Sequence, residues 1–313
     1  MQKGPFIKRW LFNLTLRVGW RRFEARQGRG SGGPLQILWP VLNKVVASKV
    51  MEKLGGRVRV AICGGAALPP EVAKTFIALG LELLQGYGLT EFSPVSSVNL
   101  LDDNDPASVG VPLQGVEVRI GENDELLLKG PGVMQGYWNN HVATQAAIDE
   151  GGWLHTGDQA RIENNHVYII GRIKEIIVMS NGEKLPPNDM EAAITMDPLF
   201  EQAMIVGEGE AYLTALVVLN QELWPDLAKE MGLEPENPAS LKDPKLLQRL
   251  QKRVAELLRD FPGYAKVRRV TADLEPWSVD NGMLTPTMKL KRRYVLEHYK
   301  DDIKAMYESA RRA

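Results

Sequence analysis

The segment Gln85-Gly-Tyr-Gly-Leu-Thr-Glu91 is the starting point from which the fold of the rest of the chain can be predicted. It follows a short run, Glu82–Gln85, that predicts a strand, and its two glycines permit close approach of the backbone to a ligand. It also brings an aromatic ring, a hydroxyl and a carboxylate together. The dinucleotide-binding pattern is excluded, because its third glycine and the following helix are missing. Taken alone, the stretch also fits an ordinary tight turn.

Upstream of this stretch, the order of predicted elements indicates an α/β layer. Residues 6–27 and 36–54 have the pattern of helices, and a glycine-rich break separates them. Val58–Cys63 is predicted to be a buried strand, and Pro70–Leu79 a helix. Strand, helix and strand at this spacing favour a parallel pair of strands.

Downstream, the pattern changes twice. Short strands joined by turns such as Glu122-Asn-Asp124 and Asn164-Asn165 indicate a β-rich subdomain over residues 108–171. Its predicted strands are Val116–Ile120, Glu125–Lys129, Ala160–Glu163 and His166–Ile170. From residue 172 the chain alternates between strands and amphipathic helices, which predicts a separate α+β domain. Its predicted elements are the strands Glu175–Met179, Gln202–Val206 and Leu213–Leu219, and the helices Leu241–Phe261 and Leu290–Ser309.

Composition places the chain among ordinary globular proteins, with 44% hydrophobic and 25% charged residues in 313. A single cysteine, Cys63, excludes an internal disulfide and fits a buried position in a cytoplasmic protein. Residues 1–60 hold thirteen Lys and Arg against two Glu. The basic helix over residues 6–27 could therefore contact an anionic membrane peripherally, or it could pack on its own domain. We expect no nucleic-acid partner.

Four further segments, together with Gln85–Glu91 (the central stretch), form a specific pattern. They are Gly64-Gly-Ala-Ala-Leu68, Gly152-Trp-Leu-His-Thr-Gly-Asp158, Gly171-Arg-Ile-Lys174 and Leu284-Thr-Pro-Thr-Met-Lys-Leu-Lys-Arg292. In this order and near this spacing, the five segments resemble the motifs of the adenylate-forming (AMP-binding) superfamily. That superfamily includes acyl-CoA synthetases, luciferases and peptide-synthetase adenylation domains. The resemblance implies a partial large adenylation domain over residues 1–171 and a mobile carboxyl-terminal domain over residues 172–313.

The resemblance also implies a nucleotide site. The adenine would lie against the backbone of residues Gly64, Gly65, Ala66 and Ala67 and against the ring of Tyr87, with Gln85, Gly86 and Gly88 around it. Thr90 would donate to the α-phosphate, and Glu91 would ligate Mg²⁺ as an oxygen ligand for a hard cation. Asp158 would accept from the ribose hydroxyls, supported by Arg172. For His155 we expect only a packing role.

In the carboxyl-terminal domain, the resemblance implies a catalytic lysine and a hinge. Lys289 would contact both the acyl carboxylate and the phosphate during adenylation, a role for a mobile positive charge. Met288 stands where many relatives have glycine, and Lys291 is a rival for the same role. Lys174 occupies the hinge position. Ser180, Asn181, Gly182 and Glu183 would form the loop along which the thiol arm passes.

Details of three segments resemble the long-chain branch of the family. They are Val133-Met-Gln-Gly-Tyr-Trp138, Lys184-Leu-Pro-Pro187 and the run Glu275–Leu284. The implied partners are ATP, a fatty acid and either CoA or an acyl carrier protein. The sequence has no Ser/Thr/Gly-rich loop ending in Pro-Lys-Gly for the β- and γ-phosphates. We therefore expect a fragment that is inactive alone and needs a complementing amino-terminal half. The alternative is a module that binds nucleotide or adenylate without turnover.

Overall fold

The computed structural model describes residues 6–66 and 68–311. The chain folds as two compact units, of which the first ends at Ile173 and the second begins at Lys174. Within the described residues, no helix combines the length and apolar character needed to cross a bilayer.

In the first unit, the helix over residues 6–26 packs against the helix over residues 70–78. The helices of this unit are α1 (Phe6–Arg26), α2 (Trp39–Leu42), α3 (Ser48–Glu52), α4 (Pro70–Ala78) and α5 (His141–Ala147). Phe23 of α1 is buried in one cluster with Ala73 and Ile77 of α4. The single helix predicted over residues 36–54 is instead a succession of a 3₁₀ turn, α2, a π turn and α3. Pro40 lacks the backbone N–H of a regular helix, which favours such irregular winding.

The first sheet has four strands in the order β1-β2-β3-β4. These are β1 (Val60–Cys63), β2 (Glu82–Gly88), β3 (Val95–Val98) and β4 (Val111–Pro112). The predicted parallel pair is confirmed, because β1 and β2 run parallel. The prediction that β1 is buried is wrong: Val60 and Ile62 are 42% and 70% exposed on this edge strand. The sheet also extends through β4, beyond residue 107, where the β-rich part was predicted to begin.

The second sheet is an antiparallel meander of β5 (Glu117–Ile120), β6 (Glu125–Lys129), β7 (Leu154–Glu163) and β8 (His166–Arg172). The predicted turn pairs are confirmed, since Asn123 and Asp124 and also Asn164 and Asn165 have positive φ. Asparagine and aspartate tolerate this left-handed conformation better than most residues. One face of the sheet is buried in a cluster that contains Phe92, Leu126, Leu128, Leu154 and Val167.

The second unit is built on a three-stranded sheet whose central strand is completely buried. The order is β11-β12-β13, after a two-stranded β9–β10 hairpin. The strands are β9 (Ile177–Val178), β10 (Lys184–Leu185), β11 (Phe200–Val206), β12 (Leu213–Leu219) and β13 (Val267–Asp273). The helices are α6 (Pro187–Thr195), α7 (Trp224–Glu230), α8 (Pro244–Leu257), α9 (Arg292–His298) and α10 (Lys300–Arg311). The helix predicted over residues 290–309 is therefore two helices, and the strand predicted from Glu175 begins only at Ile177.

The alternation of side chains along β12 explains why both faces of this sheet are covered. Leu213, Ala215 and Val217 point into a core shared with α6 and α8. Leu216 and Val218 point the other way, into a second core that contains Trp277 and Val295. A strand buried on both faces is a nearly continuous apolar run, and the sequence of β12 is one in which Thr214 is the single polar residue.

Candidate functional site

Three residues predicted from separate motifs meet at one carboxylate in the first unit. Tyr87, at the end of β2, donates its hydroxyl hydrogen bond to Oδ2 of Asp158. The Nε atom of Arg172 lies 3.3 Å from Oδ1 of the same carboxylate. Asp158 and Arg172 are also register partners across β7 and β8. The structure therefore brings Tyr87, Asp158 and Arg172 together, and Asp158 is only 7% exposed.

Burial and charge keep the Tyr87 phenol protonated. Burial raises the pKa of Tyr87 well above its ordinary value, and the neighbouring Asp158 carboxylate raises it further. The phenol is therefore a neutral donor that fixes one carboxylate oxygen, while the exposed Arg172 side chain approaches the other. This hydrogen bond was not among the predicted roles of Tyr87, whose ring also packs against the cluster around Phe92.

Thr90 and Glu91 lie on a 3₁₀ turn, Thr90–Phe92, that directly follows β2. The buried Phe92 anchors the turn, while Thr90 is exposed and Glu91 is half-buried. Oε1 of Glu91 accepts a hydrogen bond of 3.0 Å from the Tyr137 hydroxyl. Burial and the Glu91 carboxylate raise the pKa of Tyr137. Sequence reasoning noted Tyr137 only within a family-like segment, and its contact with Glu91 was missed.

The Glu91 carboxylate fits a magnesium ion only as one ligand among several. The residues that the structure describes contain no group of three or more His, Cys, Asp or Glu arranged to hold a metal. Mg²⁺ is commonly held by one or two carboxylates together with substrate phosphates and water. Glu91 therefore suits an ion that arrives with a nucleotide, and it does not form a metal site of the protein by itself.

The predicted adenine segment lies beside the central stretch. Cys63 pairs with Gln85, so Gly64 continues alongside Gly86, and a side chain at Gly64 would come within 3.3 Å of the Gly86 carbonyl oxygen. Gly65 and Ala66 follow in an exposed loop. Ala67, which was also predicted to contact adenine, lies outside the described residues.

Two contacts of the central stretch were not predicted from the sequence. The Gln85 side chain is buried, and its Nε2 donates to the Pro106 carbonyl oxygen at 2.8 Å, so this amide has a structural partner. At Gly88, a Cβ atom would lie 2.1 Å from the carbonyl oxygen of Pro94. The chain's own backbone, rather than a ligand, therefore accounts for the glycine at position 88.

In the second unit, Lys289 lies on an exposed turn that its own backbone closes. The Thr285 N–H donates to the Lys289 carbonyl oxygen at 2.8 Å, and the Lys289 N–H donates to Thr285 Oγ1 at 3.0 Å. Met288 has a φ of 61°, in the left-handed region that favours glycine. The ammonium of Lys291 lies 5.2 Å from the ring centroid of Tyr294, so this rival side chain is directed towards a neighbour on α9.

The predicted thiol-arm loop is the tip of the β9–β10 hairpin. Ser180, Asn181, Gly182 and Glu183 are all exposed, and Gly182 has a φ of 84° with nothing near the position of a Cβ atom. The Met179 N–H donates to the Glu183 carbonyl oxygen at 2.9 Å, which closes the loop. Lys174 lies in an exposed 3₁₀ turn at the start of this unit.

Family models match both units. The model described as AMP-binding enzyme matches residues 36–138, and the model described as AMP-binding enzyme C-terminal domain matches residues 174–311. The chain belongs to the AMP-binding, adenylate-forming enzyme superfamily, as the five motif segments predicted. The predicted fold class, α/β with a β-rich subdomain followed by an α+β domain, is confirmed as well.

Individual relatives agree with this assignment. The chain is 33% identical over 289 residues to the long-chain-fatty-acid–CoA ligase FadD15 of Mycobacterium bovis, covering 91% of this chain and 48% of the relative. It is 31% identical to the long-chain-fatty-acid–[acyl-carrier-protein] ligase AEE15 of Arabidopsis thaliana, covering 87% and 39%. The chain thus spans about half the length of the curated relatives that it matches.

A solved structure supports the fold. The A domain of a carboxylic acid reductase from Segniliparus rugosus, in complex with AMP and a co-purified carboxylic acid, superposes with a TM-score of 0.69. The match covers 94% of this chain and 46% of that chain at 23% identity, so it bears on the fold alone.

Proposed function

We propose that this chain supplies the nucleotide-handling part of an enzyme that activates a long-chain fatty acid with ATP and transfers the acyl group to a thiol. The observation that supports this most strongly is the convergence of Tyr87 and Arg172 on the carboxylate of Asp158. Three motif segments contribute to it, and the segment of Tyr87, which is distant in sequence from the other two, continues into an exposed Thr90 and a half-buried Glu91.

Different residues contact different parts of the nucleotide in this proposal. A nearly enclosed carboxylate suits the ribose hydroxyls, because hydrogen bonds to an ionised acceptor are stronger than neutral ones. Tyr87 and the exposed loop at Gly64–Ala66 border the adenine. Thr90 contacts the α-phosphate. With Glu91 as one ligand, a bound Mg²⁺ would supply positive charge to the phosphates.

Lys289 provides the mobile positive charge for the adenylation step. Contact of its exposed ammonium with the attacking carboxylate and the α-phosphate would lower the barrier without covalent chemistry. Movement about Lys174 then exchanges Lys289 for the exposed Ser180–Glu183 loop, along which the thiol arm passes.

CoA is the thiol acceptor that we favour, and an acyl carrier protein is the alternative. The relatives named for each acceptor match this chain at nearly the same identity, 33% and 31%, so identity does not separate them. We propose a cytoplasmic protein. A peripheral membrane contact through the basic helix α1 is a further proposal, which its exposed Phe6, Ile7 and Trp10 would support.

The β- and γ-phosphates need a different set of groups. Such phosphates are normally held by a nest of backbone N–H groups together with a lysine. The 313 residues contain no Ser/Thr/Gly-rich loop that ends in Pro-Lys-Gly. We therefore propose that these residues alone bind AMP or an acyl-adenylate weakly and turn over poorly, and that a complementing half completes the reaction.

Calorimetric titration with AMP and with hexadecanoyl sulfamoyl adenosine, a stable acyl-adenylate analogue, tests the proposal. We expect saturable binding of both ligands. The analogue should bind at least about tenfold more tightly, because each buried methylene contributes about 0.8 kcal/mol. Asp158→Ala should weaken both by about ten- to a hundredfold, the scale of losing hydrogen bonds to a charged group.

The control is Asp102→Ala, which removes an exposed carboxylate of the same unit. It should leave both affinities unchanged. Equal affinities for AMP and the analogue would favour a nucleotide-binding module without an acyl site. A folded chain that binds neither ligand, or an Asp158→Ala variant that binds like the control, would contradict the proposal.

A further inference from the structure

The strand that carries Asp158 is irregular at the point where Asp158 emerges. On one side of the irregularity Leu127 is paired with His155, and on the other Glu125 is paired with Gln159. Between these pairs β6 contains only Leu126, whereas β7 contains Thr156, Gly157 and Asp158. Such a bulge leaves backbone groups without ladder partners and redirects a side chain.

Side chains hold the extra residues of the bulge. The Gly157 N–H donates to Oε1 of Glu125 at 2.8 Å. The Asp158 N–H donates to Thr156 Oγ1 at 3.1 Å, and that hydroxyl donates to the Leu126 carbonyl oxygen at 2.7 Å. Gly157 has a φ of 70°, which glycine adopts without strain. Hydrogen bonds to Glu125 and Leu126, the first two residues of β6, thus hold the conformation that presents Asp158.

Glu125 is itself held by a second partner. Its Oε2 lies 2.8 Å from Nδ1 of His155, so its two oxygens bind two different residues of the Asp158 segment. The Glu125 side chain is 17% exposed, and that of His155 is 37% exposed. A partly buried carboxylate that accepts a backbone N–H makes a stronger bond than a neutral acceptor would.

We propose that Glu125 is a positioning residue for Asp158. It holds the Gly157 amide in the bulge, and thereby keeps the Asp158 carboxylate directed towards Tyr87, Arg172 and the ribose of a bound adenylate. The ribose part of this inference rests on the function proposed above. The bulge part depends only on the contacts of Glu125.

Amide hydrogen exchange, measured by NMR on the 313-residue chain without any nucleotide, tests the bulge. Glu125→Ala should speed exchange of the Gly157 amide about tenfold or more, because this amide loses its acceptor. Glu125→Gln keeps an acceptor oxygen and should retain most of the protection. Glu117→Ala, an exposed carboxylate on the neighbouring β5, serves as the matched control and should change nothing.

Unchanged exchange of Gly157 in Glu125→Ala would overturn the inference. Equal acceleration throughout β6 and β7 would overturn it too, since that result means general loosening. If the alanine variant does not fold, Glu125→Asp replaces it, because the side chain that is shorter by one methylene withdraws the carboxylate from the Gly157 amide. Retained Gly157 protection in Glu125→Asp would then count against the inference.

A second measurement tests the contact with the ribose hydroxyls directly. It is the ratio of the dissociation constants for 2′,3′-dideoxy-AMP, which lacks these hydroxyls, and AMP. The unmodified chain should prefer AMP about tenfold or more, the value of hydrogen bonds from hydroxyls to a charged acceptor. Glu125→Ala should reduce this preference to about twofold or less, and Glu125→Gln should retain it. A preference that persists in Glu125→Ala would contradict the positioning role. An unmodified chain without any preference would instead refute the proposed ribose contact, while hydrogen exchange still decides the role of Glu125.

Discussion

At the scale of single residues, Tyr87 couples the candidate site to pH. Its pKa is raised in the folded chain by burial and by the Asp158 carboxylate. A raised folded-state pKa contributes stability that is fully present below the unfolded value of about 10 and is lost as pH rises above it. The contribution therefore disappears only in alkaline solution.

The matching prediction compares Tyr87→Phe with the unmodified chain. Between about pH 9 and pH 11, the free energy of unfolding of the unmodified chain should fall more steeply than that of Tyr87→Phe. Urea unfolding across this pH range measures both slopes. Parallel slopes would mean that the Tyr87 phenol has no raised pKa in the folded protein.

Met288 is a second residue whose conformation has a measurable consequence. It adopts a left-handed φ of 61° on the turn that presents Lys289. A non-glycine residue in this region is strained by roughly 1 kcal/mol, and a β-branched residue by more. We expect Met288→Gly to change the free energy of unfolding by less than about 1 kcal/mol, because relief of strain and loss of backbone entropy oppose each other. Met288→Val should destabilise by more than about 1 kcal/mol. Equal stabilities of the valine and glycine variants would contradict the left-handed conformation.

At the scale of elements, one ion pair ties the start of α9 to α6. Nη2 of Arg292 donates to both oxygens of Glu191, each at 2.6 Å, and the Ile205 N–H donates to Oε1 of the same carboxylate at 2.7 Å. The exposed fractions of the two side chains are 16% and 14%. Since Arg292 follows the Lys289 turn closely in sequence, this pair also fixes one end of that turn.

Breaking this pair should be costly. Arg292→Met leaves the largely enclosed Glu191 carboxylate without its closest counter-ion, and loss of one partner of a buried pair typically destabilises a protein by about 3–5 kcal/mol. Chemical unfolding that reports on the second unit should show this loss. Replacing both residues, as in Arg292→Met with Glu191→Met, should recover a large part of it. Arg293→Met, next in sequence but exposed, is the control and should have almost no effect. A loss below about 1 kcal/mol in Arg292→Met would mean that the pair does not anchor α9.

A comparison of predicted and observed strands shows which of them can be predicted from the local sequence pattern. β6 and β12 begin and end at the residues expected from their apolar runs, because a dense apolar core and polar turns define them from both sides. β3 was not predicted, since Val95–Val98 has no strong alternation and depends on pairing with β2 and β4. The burial of β1 was predicted wrongly, because a local apolar run does not reveal that its strand lies at a sheet edge.

In the candidate site, too, the local sequence predicted individual residues but not their contacts across the fold. Motif resemblance selected Tyr87, Asp158 and Arg172 one by one, but their mutual contacts depend on the register of β7 and β8 and on where β2 ends. Glu125 and Tyr137 were missed for this reason. Each acts through a contact across the fold, with Gly157 and Glu91 respectively. Neither contact has a signature in the neighbouring sequence.

At the scale of the whole molecule, the proposed reaction draws on residues of both units. A joined enzyme, in which these 313 residues follow the amino-terminal half of a curated relative, allows the two half-reactions to be measured separately. Lys289→Ala should slow acyl-adenylate formation by about a hundred- to a thousandfold, the scale of losing one preorganised charge donor. Thiol transfer from preformed acyl-adenylate should be much less affected.

Lys291→Ala is the matched control for this prediction. Because the Lys291 ammonium faces Tyr294, its loss should leave adenylation within a fewfold of the unmodified rate. Equal losses in both half-reactions for Lys289→Ala would contradict a role confined to adenylation. A larger loss in Lys291→Ala than in Lys289→Ala would assign the role to Lys291.

The central claim is that motif segments distant in sequence form one nucleotide site in the first unit, and NMR titration of the ¹⁵N-labelled chain with AMP tests it most directly. We predict saturable shifts of the amide signals of Gly64–Ala66, Gly86–Glu91 and Gly157–Asp158, all with the same dissociation constant. Signals of the buried strand Leu213–Leu219 should stay in place. Saturable shifts confined to other parts of the chain, or unchanged spectra of the folded chain at saturating AMP, would contradict the claim.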